Sequence, residues 1–385
     1  MFKKILRKKL SPTDKFLPIE KKMIELARQG ENLLDDELFY VGQILMHENP
    51  EEAWNFIELS ASQGHPYAQM EMGRHCVETS NNQFDEKAYK WMLLAANQGI
   101  PQAIFNMGIS AHRGDVGVID NIEAYKCFLK AAEFGHGEAC FRVAMCYHLG
   151  EGTEQDEIVA RYWALRAQQL GCPNPLLRQL LEQSTDLAPE DIVRNKKGEI
   201  EHFSGGRIIS KASNEGCLDA LYNIAFWYRD GNGVEKDTQK AVDTMLYCAI
   251  HGLAKAQSAA ADIAMHNKDY ENARKFAIDA SNNGIAHAHY ILGNIYYNGY
   301  DIEKYEEKAI EYFIKAANLQ DNLAREFLAW HFAPELSSSQ VIAPSLSEYD
   351  RDTTLDYGAL TLNQIHAKYM LKMARANNDL LFKKY

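Results

Sequence analysis

The chain has 385 residues, of which 46% are hydrophobic and 24% are charged, and its formal net charge is −12. This hydrophobic fraction is enough for a continuous core, whereas the acidic balance argues against a nucleic-acid partner, whose phosphates the chain would repel. We therefore expect a folded protein that does not bind nucleic acid.

The first 17 residues form a basic leader. Residues 1–22 hold eight lysines or arginines against Asp14 and Glu20, so the rest of the chain carries a net charge of about −18, which favours a partner with a basic face. The longest apolar run in the leader is Ile5 and Leu6, so we expect neither a signal peptide nor an integral membrane segment. Residues 1–10 could touch an anionic membrane surface, although a solvated leader is the simpler interpretation.

A helix-ending motif recurs along most of the chain. Runs of small residues such as LSASQG and LKAAEFG end in glycine, with spacings of 34, 35, 36, 36, 45, 36 and 32 residues and a last step of 36 to Gln320. The glycines are Gly30, Gly64, Gly99, Gly135, Gly171, Gly216, Gly252 and Gly284. Glycine suits a helix end because it enters the left-handed region without a Cβ clash. A period in the middle thirties is typical of stacked helical hairpins.

Each repeat opens with a first helix, called helix A here, that begins at an alanine four residues after the glycine. These alanines, at position one, are Ala68, Ala103, Ala139, Ala220, Ala256, Ala288 and Ala324. Position five is mostly a large apolar residue and position six a small one, as in Met107 and Gly108. Such positions form one apolar stripe, and the small residue predicts a close helix crossing there.

The second helix of each repeat, helix B, has an early alanine and, in most repeats, a bulky residue three positions later, as in Ala88 and Trp91. Five aspartates stand three or four residues before these alanines: Asp85, Asp120, Asp156, Asp237 and Asp269. A carboxylate at this place accepts hydrogen bonds from the free amides of the first turn and meets the positive end of the helix dipole. We interpret these aspartates as helix caps.

The combined pattern, A-x-x-x-[IVLM]-[AG]-x-x-Y, then G-x-G-V-x-x-D, then K-A-x-x-[WF] and A-A-x-x-G, resembles the Sel-one-like repeat family. The best copies are 220–252, 139–171 and 288–317, and the resemblance covers about 18–332. It implies an all-α fold, an α/α superhelical solenoid of about eight or nine hairpins with helical caps at both ends. Members of the family are scaffolds and adaptors, and in bacteria they include host-contact factors and immunity proteins against toxic effectors.

The predicted domain organisation is a leader (1–17), one solenoid (18–333), an extended connector rich in proline and serine (334–354), and a C-terminal helix and tail (355–385). One unit, 172–215, is irregular, because the glycine spacing grows to 45 and three prolines interrupt it. Either the helical register slips by one or two residues and brings Leu177, Leu180 and Leu181 inward, or this hairpin is locally remodelled. A structural kink that changes the superhelix is the preferred interpretation, and a specialised binding loop is the alternative. The charged residues that such a loop would expose are Asp186, Glu190, Asp191, Lys196, Lys197 and His202.

The sequence offers no catalytic set, metal site or cofactor motif. His287 and His289 are two residues apart and would point to different faces of a helix, and no phosphate-binding, zinc-protease or nucleophile-elbow motif occurs. The seven cysteines are an odd number and form no C-x-x-C pair, which favours reduced thiols in a cytoplasmic protein. We therefore expect a protein that is not an enzyme.

The candidate binding residues lie on helix A opposite the apolar stripe, at positions three, seven and ten, and we call this surface the helix-A face. They are Phe105, Ile109, His112, Phe141, Met145, His148, Tyr222, Phe226, Arg229, Tyr290, Asn294 and Tyr297. Aromatic rings with arginine and histidine are typical of binding hot spots. Packing against the next hairpin is the competing interpretation, and Arg229, His112 and His148 are the residues we most expect to be exposed.

The predicted function is protein–protein interaction along the concave face of the solenoid, in a cytoplasmic binding or immunity protein that sequesters a partner. A membrane-peripheral scaffold or adaptor in signalling or secretion, held by residues 1–10, is the alternative, and a hydrolase is the least favoured.

Overall fold

The computed structural model describes residues 18–80, 84–115, 117–182, 192–194, 200–203, 206–232, 234–332 and 370. The predictions for the basic leader, the connector and the C-terminal helix lie outside these residues, apart from Met370. The same holds for the charged residues of the candidate loop between 186 and 197.

Eighteen helices occur in the described ranges. They are α1 (Pro18–Gln29), α2 (Asp35–Leu45), α3 (Pro50–Ser62), α4 (Pro66–Thr79), α5 (Glu86–Asn97), α6 (Pro101–Arg113), α7 (Asn121–Glu133), α8 (Gly137–Leu149), α9 (Glu157–Gln169), α10 (Pro175–Glu182), α11 (Gly206–Asn214), α12 (Leu218–Asp230), α13 (Thr238–Ile250), α14 (Ala254–His266), α15 (Tyr270–Asn282), α16 (Ala286–Asn298), α17 (Glu306–Asn318) and α18 (Asn322–Phe332).

From α2 to α17 the described helices pair as helix A and helix B of eight hairpins, which α1 precedes and α18 follows. The predicted α/α solenoid is therefore confirmed. Even the unit that lacks the sequence signature of the connecting loop forms a hairpin, because α14 and α15 are joined by a tight turn in which Lys268 takes a positive φ. Among the described helices none has the length and apolarity needed to cross a membrane.

The helix ends follow the sequence signals. All eight helix-ending glycines have a positive φ, and Gln320 takes the same place with φ +70°, so the ninth turn closes in the same way despite its Cβ. The predicted caps are also confirmed, because the side chains of all five aspartates accept hydrogen bonds from first-turn amides; the Asp85 and Asp120 contacts, for example, are 2.8 and 2.9 Å long. Caps of this kind stabilise a helix by about 1 kcal/mol each.

The core of each hairpin lies where the two helices cross. All seven position-one alanines and the early alanines of helices B are buried. At position six, a Cβ added to Gly73 or Gly108 would lie 2.8 Å from Met92 or 2.6 Å from Phe128, respectively. The prediction of a close helix crossing is therefore confirmed in these two hairpins, since even a methyl group at position six would force the facing side chain of helix B to move.

The irregular unit combines the predicted register slip with an unpredicted element. Leu177, Leu180 and Leu181 of α10 are buried, which confirms that the slip brings them inward. Between α10 and α11 the chain forms β1 (Ile192–Arg194) and β2 (Ile200–Phe203), paired antiparallel with Ile192 opposite Phe203. The all-helical prediction did not include this hairpin of strands.

Contacts divide the chain into two compact units. The central unit is Gln69–Ile295, and the terminal unit combines Met1–Ala68 with Tyr296–Tyr385. In the central unit, the turns that follow α5 and α15 touch, because a Cβ on Gly99 would lie 2.6 Å from the Cα of Gly284. These two glycines are therefore required both for their positive φ and for this close backbone approach.

The terminal unit contains a buried carboxylate that joins its first and last repeats. Asp36 of α2 lies 3.3 Å from the Nε2 of His65 and 3.3 Å from the Nη2 of Arg325 in α18, and all three side chains are buried. Beside it, the amide of Asn318 donates to Asp35 at 2.7 Å, and burial is the main cause that raises the pKa of Asp35. Polar contacts thus connect α2 directly with α17 and α18.

The central unit contains a second buried carboxylate, Asp219 of α12. Tyr162 of α9 donates a hydrogen bond to it, Lys255 of α14 forms an ion pair with it, and the Nε of Arg166 lies 3.6 Å away. The carboxyl of Glu133 at the end of α7 is close enough that its pKa rises to about 7, first because of burial and second because of the charge of Asp219. This Asp219 cluster joins helices on both sides of the irregular unit.

Candidate functional site

The helix-A face is partly used for packing. Phe105 and Phe141 are buried, and the Phe105 ring stacks on His136 with centroids 4.5 Å apart and contacts Phe128 at 5.7 Å. These two rings belong to the packing between helices, as the competing interpretation expected. The other ten candidate residues are half-buried or exposed, and their role in binding a partner stays a prediction.

The two histidines on this face connect helix A to helix B. The Nδ1 of His112 lies 3.2 Å from the Oδ1 of Asn121, and the Nδ1 of His148 lies 2.7 Å from the Oε1 of Glu157. Both histidines are half-buried, and 36% of the His148 side chain is accessible, so neither is as exposed as Arg229. Their partners, Asn121 and Glu157, are the first residues of the following helix, so each histidine joins the end of one helix to the start of the next.

The clearest aromatic and cationic row lies on α12. Tyr222 and Phe226 contact edge to face at 5.1 Å, and the guanidinium of Arg229 lies 4.6 Å from the Phe226 centroid. Arg229 is exposed, as expected, and pairs with Asp230 at 2.7 Å. Burial is the main cause that raises the pKa of Tyr222, so its hydroxyl stays neutral and available as a hydrogen-bond donor.

Tyr290, Asn294 and Tyr297 on α16 are half-buried. The Tyr290 ring stacks on His287 with centroids 5.6 Å apart. In the terminal unit, Tyr297 packs edge to face on Phe327 at 4.9 Å, and Lys304 lies over the Tyr297 ring at 4.7 Å. Neighbouring side chains thus hold the rings on α16 in place. These rings would therefore lose little conformational entropy when a partner contacts them.

A cavity of about 530 Å³ opens between α4 and α6 of the central unit. Its lining includes position seven of both helices, Arg74 and Ile109, and position ten of α4, Val77. The remaining lining residues are Phe84, Asp85, Met92, Asn106, Arg113 and Asp115. Of the candidate residues only Ile109 lies here. Arg74 and Val77 were missed, although they stand one repeat upstream at the same two positions.

The charges around this cavity differ in how fully they are paired. Arg74 forms ion pairs with Glu71 at 2.6 Å and Glu78 at 2.5 Å, and Asp85 is occupied as a helix cap. Within the described ranges the exposed Arg113 makes no ion pair. The cavity lining therefore combines the apolar side chains of Val77, Phe84, Met92 and Ile109 with an exposed guanidinium, that of Arg113.

The buried polar groups elsewhere are unsuited to nucleophilic chemistry. Burial raises the pKa of the Cys140 and Cys217 thiols to about 12, so neither is a thiolate near neutral pH. Across the described part of the chain, no three His, Cys, Asp or Glu side chains are placed to hold a metal ion. The geometry thus defines the class of protein as an α/α-hairpin solenoid, with a cavity of about 530 Å³ on the helix-A face of its central unit.

The comparison with family models identifies this solenoid more narrowly. The Sel1 repeat matches residues 37–65, 66–100, 101–136, 137–172, 218–243 and 286–321. These segments make up just over half of the chain, and the chain therefore belongs to the Sel1 repeat family. Between residues 37 and 321, the two stretches without a match are 173–217, which holds the irregular unit, and 244–285, which includes the hairpin of α14 and α15.

Solved structures that are similar to this chain include c5321, a protective antigen of uropathogenic Escherichia coli with an SLR fold, at 21% identity over 94% of this chain and 82% of that chain, with a TM-score of 0.38. A Sel1 repeat protein from Oxalobacter formigenes has 20% identity over 80% and 99% of the two chains, with a TM-score of 0.33. The immunity protein Pa5087 from Pseudomonas aeruginosa has 17% identity over 72% and 83%, with a TM-score of 0.21.

The comparison with curated proteins finds no match. The family assignment therefore depends on the repeat model and on the packing described above. Sel1 repeats bind protein partners, and their solenoid is typically a non-catalytic interaction module.

Proposed function

We propose that this chain binds and sequesters a protein partner on the helix-A face, with the cavity between α4 and α6 as its main anchor point. The observation that carries the proposal is that position seven of two successive helices A, Arg74 and Ile109, lines a cavity of about 530 Å³. A side chain of the partner that enters this cavity would meet apolar lining groups and Arg113, which makes no ion pair with the residues that the structure describes. Buried anchors of this kind dominate binding energies.

The negative net charge of the chain favours a partner with a basic surface. With a net charge of −12, the protein attracts a basic surface over a distance of about one Debye length, roughly 8 Å at physiological salt, and long-range attraction raises association rates. We infer a partner with a basic face whose contact segment also carries an acidic or polar group for Arg113. One form of this role is an immunity protein that occludes a toxic effector.

The proposed compartment is the cytoplasm. All seven cysteines are free thiols, and Cys76, Cys140, Cys146 and Cys248 are buried as small apolar residues would be. Fractionation of the source cells with an antibody to the chain tests this proposal, and recovery in a disulfide-forming compartment would contradict it.

The binding proposal is tested with a tagged chain expressed in its own source, from which the cross-linked partner is identified and then purified. We expect Ile109→Glu to weaken the dissociation constant for that partner at least tenfold, because it places a charge among the apolar side chains of the cavity lining. Leu93→Glu is the matched control, since Leu93 is exposed on α5, a helix B, and does not line the cavity. Equal affinities for wild type and Ile109→Glu would overturn the proposal.

The immunity form has its own test. If the identified partner is toxic when expressed alone, co-expression of the wild-type chain should restore growth and Ile109→Glu should restore it less. A partner that binds but is harmless would leave sequestration in place and remove the immunity form.

A further inference from the structure

The loop between α6 and α7 exposes apolar side chains that the fold does not bury. Val118 is 86% exposed and Ile119 is 64% exposed, and Ile122 in the first turn of α7 is 59% exposed. We call these three residues the apolar edge. Three exposed aliphatic side chains within five residues of the chain are more informative than exposed residues scattered singly.

Equivalent loops in the same chain show that the apolar residues are not needed for the turn. Three helices A end at Gly114, Gly150 and Gly231, each with a positive φ, and the following helix B starts after Asp120, Asp156 or Asp237 in each case six residues later. The places of Val118 and Ile119 are taken by Glu154 and Gln155 in the second loop and by Glu235 and Lys236 in the third.

The backbone of the three loops closes in the same way. The amides of Asp120, Asp156 and Asp237 donate to Ala111, Tyr147 and Tyr228 carbonyls at 2.9, 3.0 and 2.8 Å. Since polar residues at the places of Val118 and Ile119 allow the same closure in the other two loops, the loop does not need valine and isoleucine there in order to fold. A solvated loop normally carries polar residues, so the departure points to a contact outside the chain.

The surroundings of the apolar edge are acidic. Asp115 and Glu123 are exposed beside it. The loop after α8 packs against the start of α7, because a Cβ on Gly152 would overlap with the carbonyl group of Asn121, and this loop adds the exposed Glu151 and Glu154. The nearby cations are Arg113 and Lys126, and Lys126 lies 3.7 Å from Glu123. Carboxylates therefore outnumber cations around the apolar side chains.

We propose that the apolar edge docks an amphipathic helix of the partner protein, with leucine-like residues on Val118, Ile119 and Ile122 and flanking lysine or arginine facing the carboxylates. This inference rests on the proposed function that the chain binds a protein, and it adds a second contact and its chemistry. Charge complementarity selects a basic helix over an acidic one, and an apolar helix face supplies the matching surface.

The probe is an 18-residue fluorescein-labelled helical peptide with leucine on one face and lysine on the other, measured by fluorescence anisotropy with the full chain at 150 mM salt. We expect saturable one-to-one binding. The double variant Val118→Glu with Ile119→Gln, which copies the loop residues Glu154 and Gln155, should weaken binding at least tenfold. The matched control, Glu235→Ala with Lys236→Ala in the equivalent loop, should leave it unchanged.

Several results would overturn the inference. They are absence of binding, equal affinity of wild type and the loop variant, or equally tight binding of a peptide with glutamate in place of lysine. Two further results would show that something else covers the apolar edge. A wild-type dimer in sedimentation that the loop variant does not form would identify a second copy of the chain, and binding to phosphatidylserine vesicles that the loop variant loses and the control keeps would identify a membrane. The circular dichroism and thermal unfolding of the loop variant should match wild type, since two loops of this chain already fold with polar residues.

The natural partner separates this inference from the proposed function. If Ile109→Glu loses the partner and the loop variant keeps it at full affinity, the docking inference is wrong and the proposed function stands. If the loop variant loses the partner and Ile109→Glu keeps it, the apolar edge is the contact and the helix-A face is not.

Discussion

Asp36 in the terminal unit and Asp219 in the central unit occupy the same place, directly before position one of helix A, and both are buried. Their partners differ. Asp36 meets Arg325, whose side chain is only 2% exposed, whereas Asp219 meets Lys255 and Arg166, each 24% exposed. A buried carboxylate at one repeat position therefore makes a fully desolvated pair in one unit and a pair within reach of water in the other.

Burial of the cation sets the cost of losing the carboxylate. A cation that reaches water is rehydrated when its partner disappears, while a buried guanidinium is not. Among the described residues, the Nε and Nη1 of Arg325 have no hydrogen-bond partner, so the Asp36 contact matters more to this group than a single ion pair does at a surface.

The largest expected effect is that of Asp36→Asn. The substitution leaves Arg325 buried without its counter-charge, and we expect the free energy of unfolding to fall by about 3–5 kcal/mol. Urea unfolding followed by circular dichroism measures it. Asp262→Asn is the control, because Asp262 is exposed and its pair with His287 should contribute less than about 1 kcal/mol. A combined Asp36→Leu and Arg325→Met variant should recover most of the loss, because it removes both charges.

The next effect is that of Asp219→Asn, for which we expect a loss of roughly 2–3 kcal/mol in the same measurement, since the side chains of Lys255 and Arg166 are each 24% exposed. The Nε of Arg166 is buried, and this keeps the expected loss above that of a surface pair. The loss should exceed that of the Asp262→Asn control. A loss equal to or greater than that of Asp36→Asn would show that exposure of the cation does not govern the difference.

A third prediction concerns pH and the neighbour of Asp219. The pKa of Glu133 is about 7 in the folded protein against an ordinary value of 4.5, so the folded state holds a proton that the unfolded state releases over this range. The stability contribution of Glu133 is therefore fully present below pH 4.5 and is lost as the pH rises to 7. Glu133→Gln should stabilise the protein at pH 8 by roughly 1–3 kcal/mol and leave it unchanged at pH 4.

The control for the Glu133 prediction is a substitution of its neighbour Asp219. Because the charge of Asp219 is one cause of the raised pKa of Glu133, Asp219→Asn should lower that pKa and reduce the gain from Glu133→Gln at pH 8. Thermal unfolding of the wild type, the two single variants Glu133→Gln and Asp219→Asn, and the double variant at pH 4, 6 and 8 measures both effects. A gain that is the same at all three values would contradict the assignment.

The smallest expected loss of stability tests whether burial of an aspartate, and not its place at the start of a helix, sets the cost of replacing it. Asp120 also stands at a helix start, but it is exposed and caps α7 through the amide of Glu123 at 2.9 Å. Asp120→Ala should cost about 1 kcal/mol, the value of a lost cap, and Asp120→Asn should cost less because the amide oxygen still accepts the bond. A loss as large as that of Asp219→Asn would mean that the helix start itself, and not burial, dominates.

Much of the fold could be predicted because its signals are local. A glycine after a helix, an aspartate before one and a small residue at position six act on neighbours a few residues away, and all three were confirmed. The binding residues were harder to predict. Position three on helix A appeared free, yet Phe105 is covered by His136 from the next repeat, and Arg74 and Val77 were passed over although their positions were those chosen elsewhere.

The sequence by itself determined the repeat length, the helix boundaries and the pairing of helices into hairpins, because these depend on periodicity and on caps within one unit. The tertiary structure alone decided that Asp36 would meet Arg325, 289 residues away, that Gly99 would touch Gly284, and that the irregular unit would hold a pair of strands. Such contacts join helices that are far apart along the chain, and no single repeat contains the information to place them.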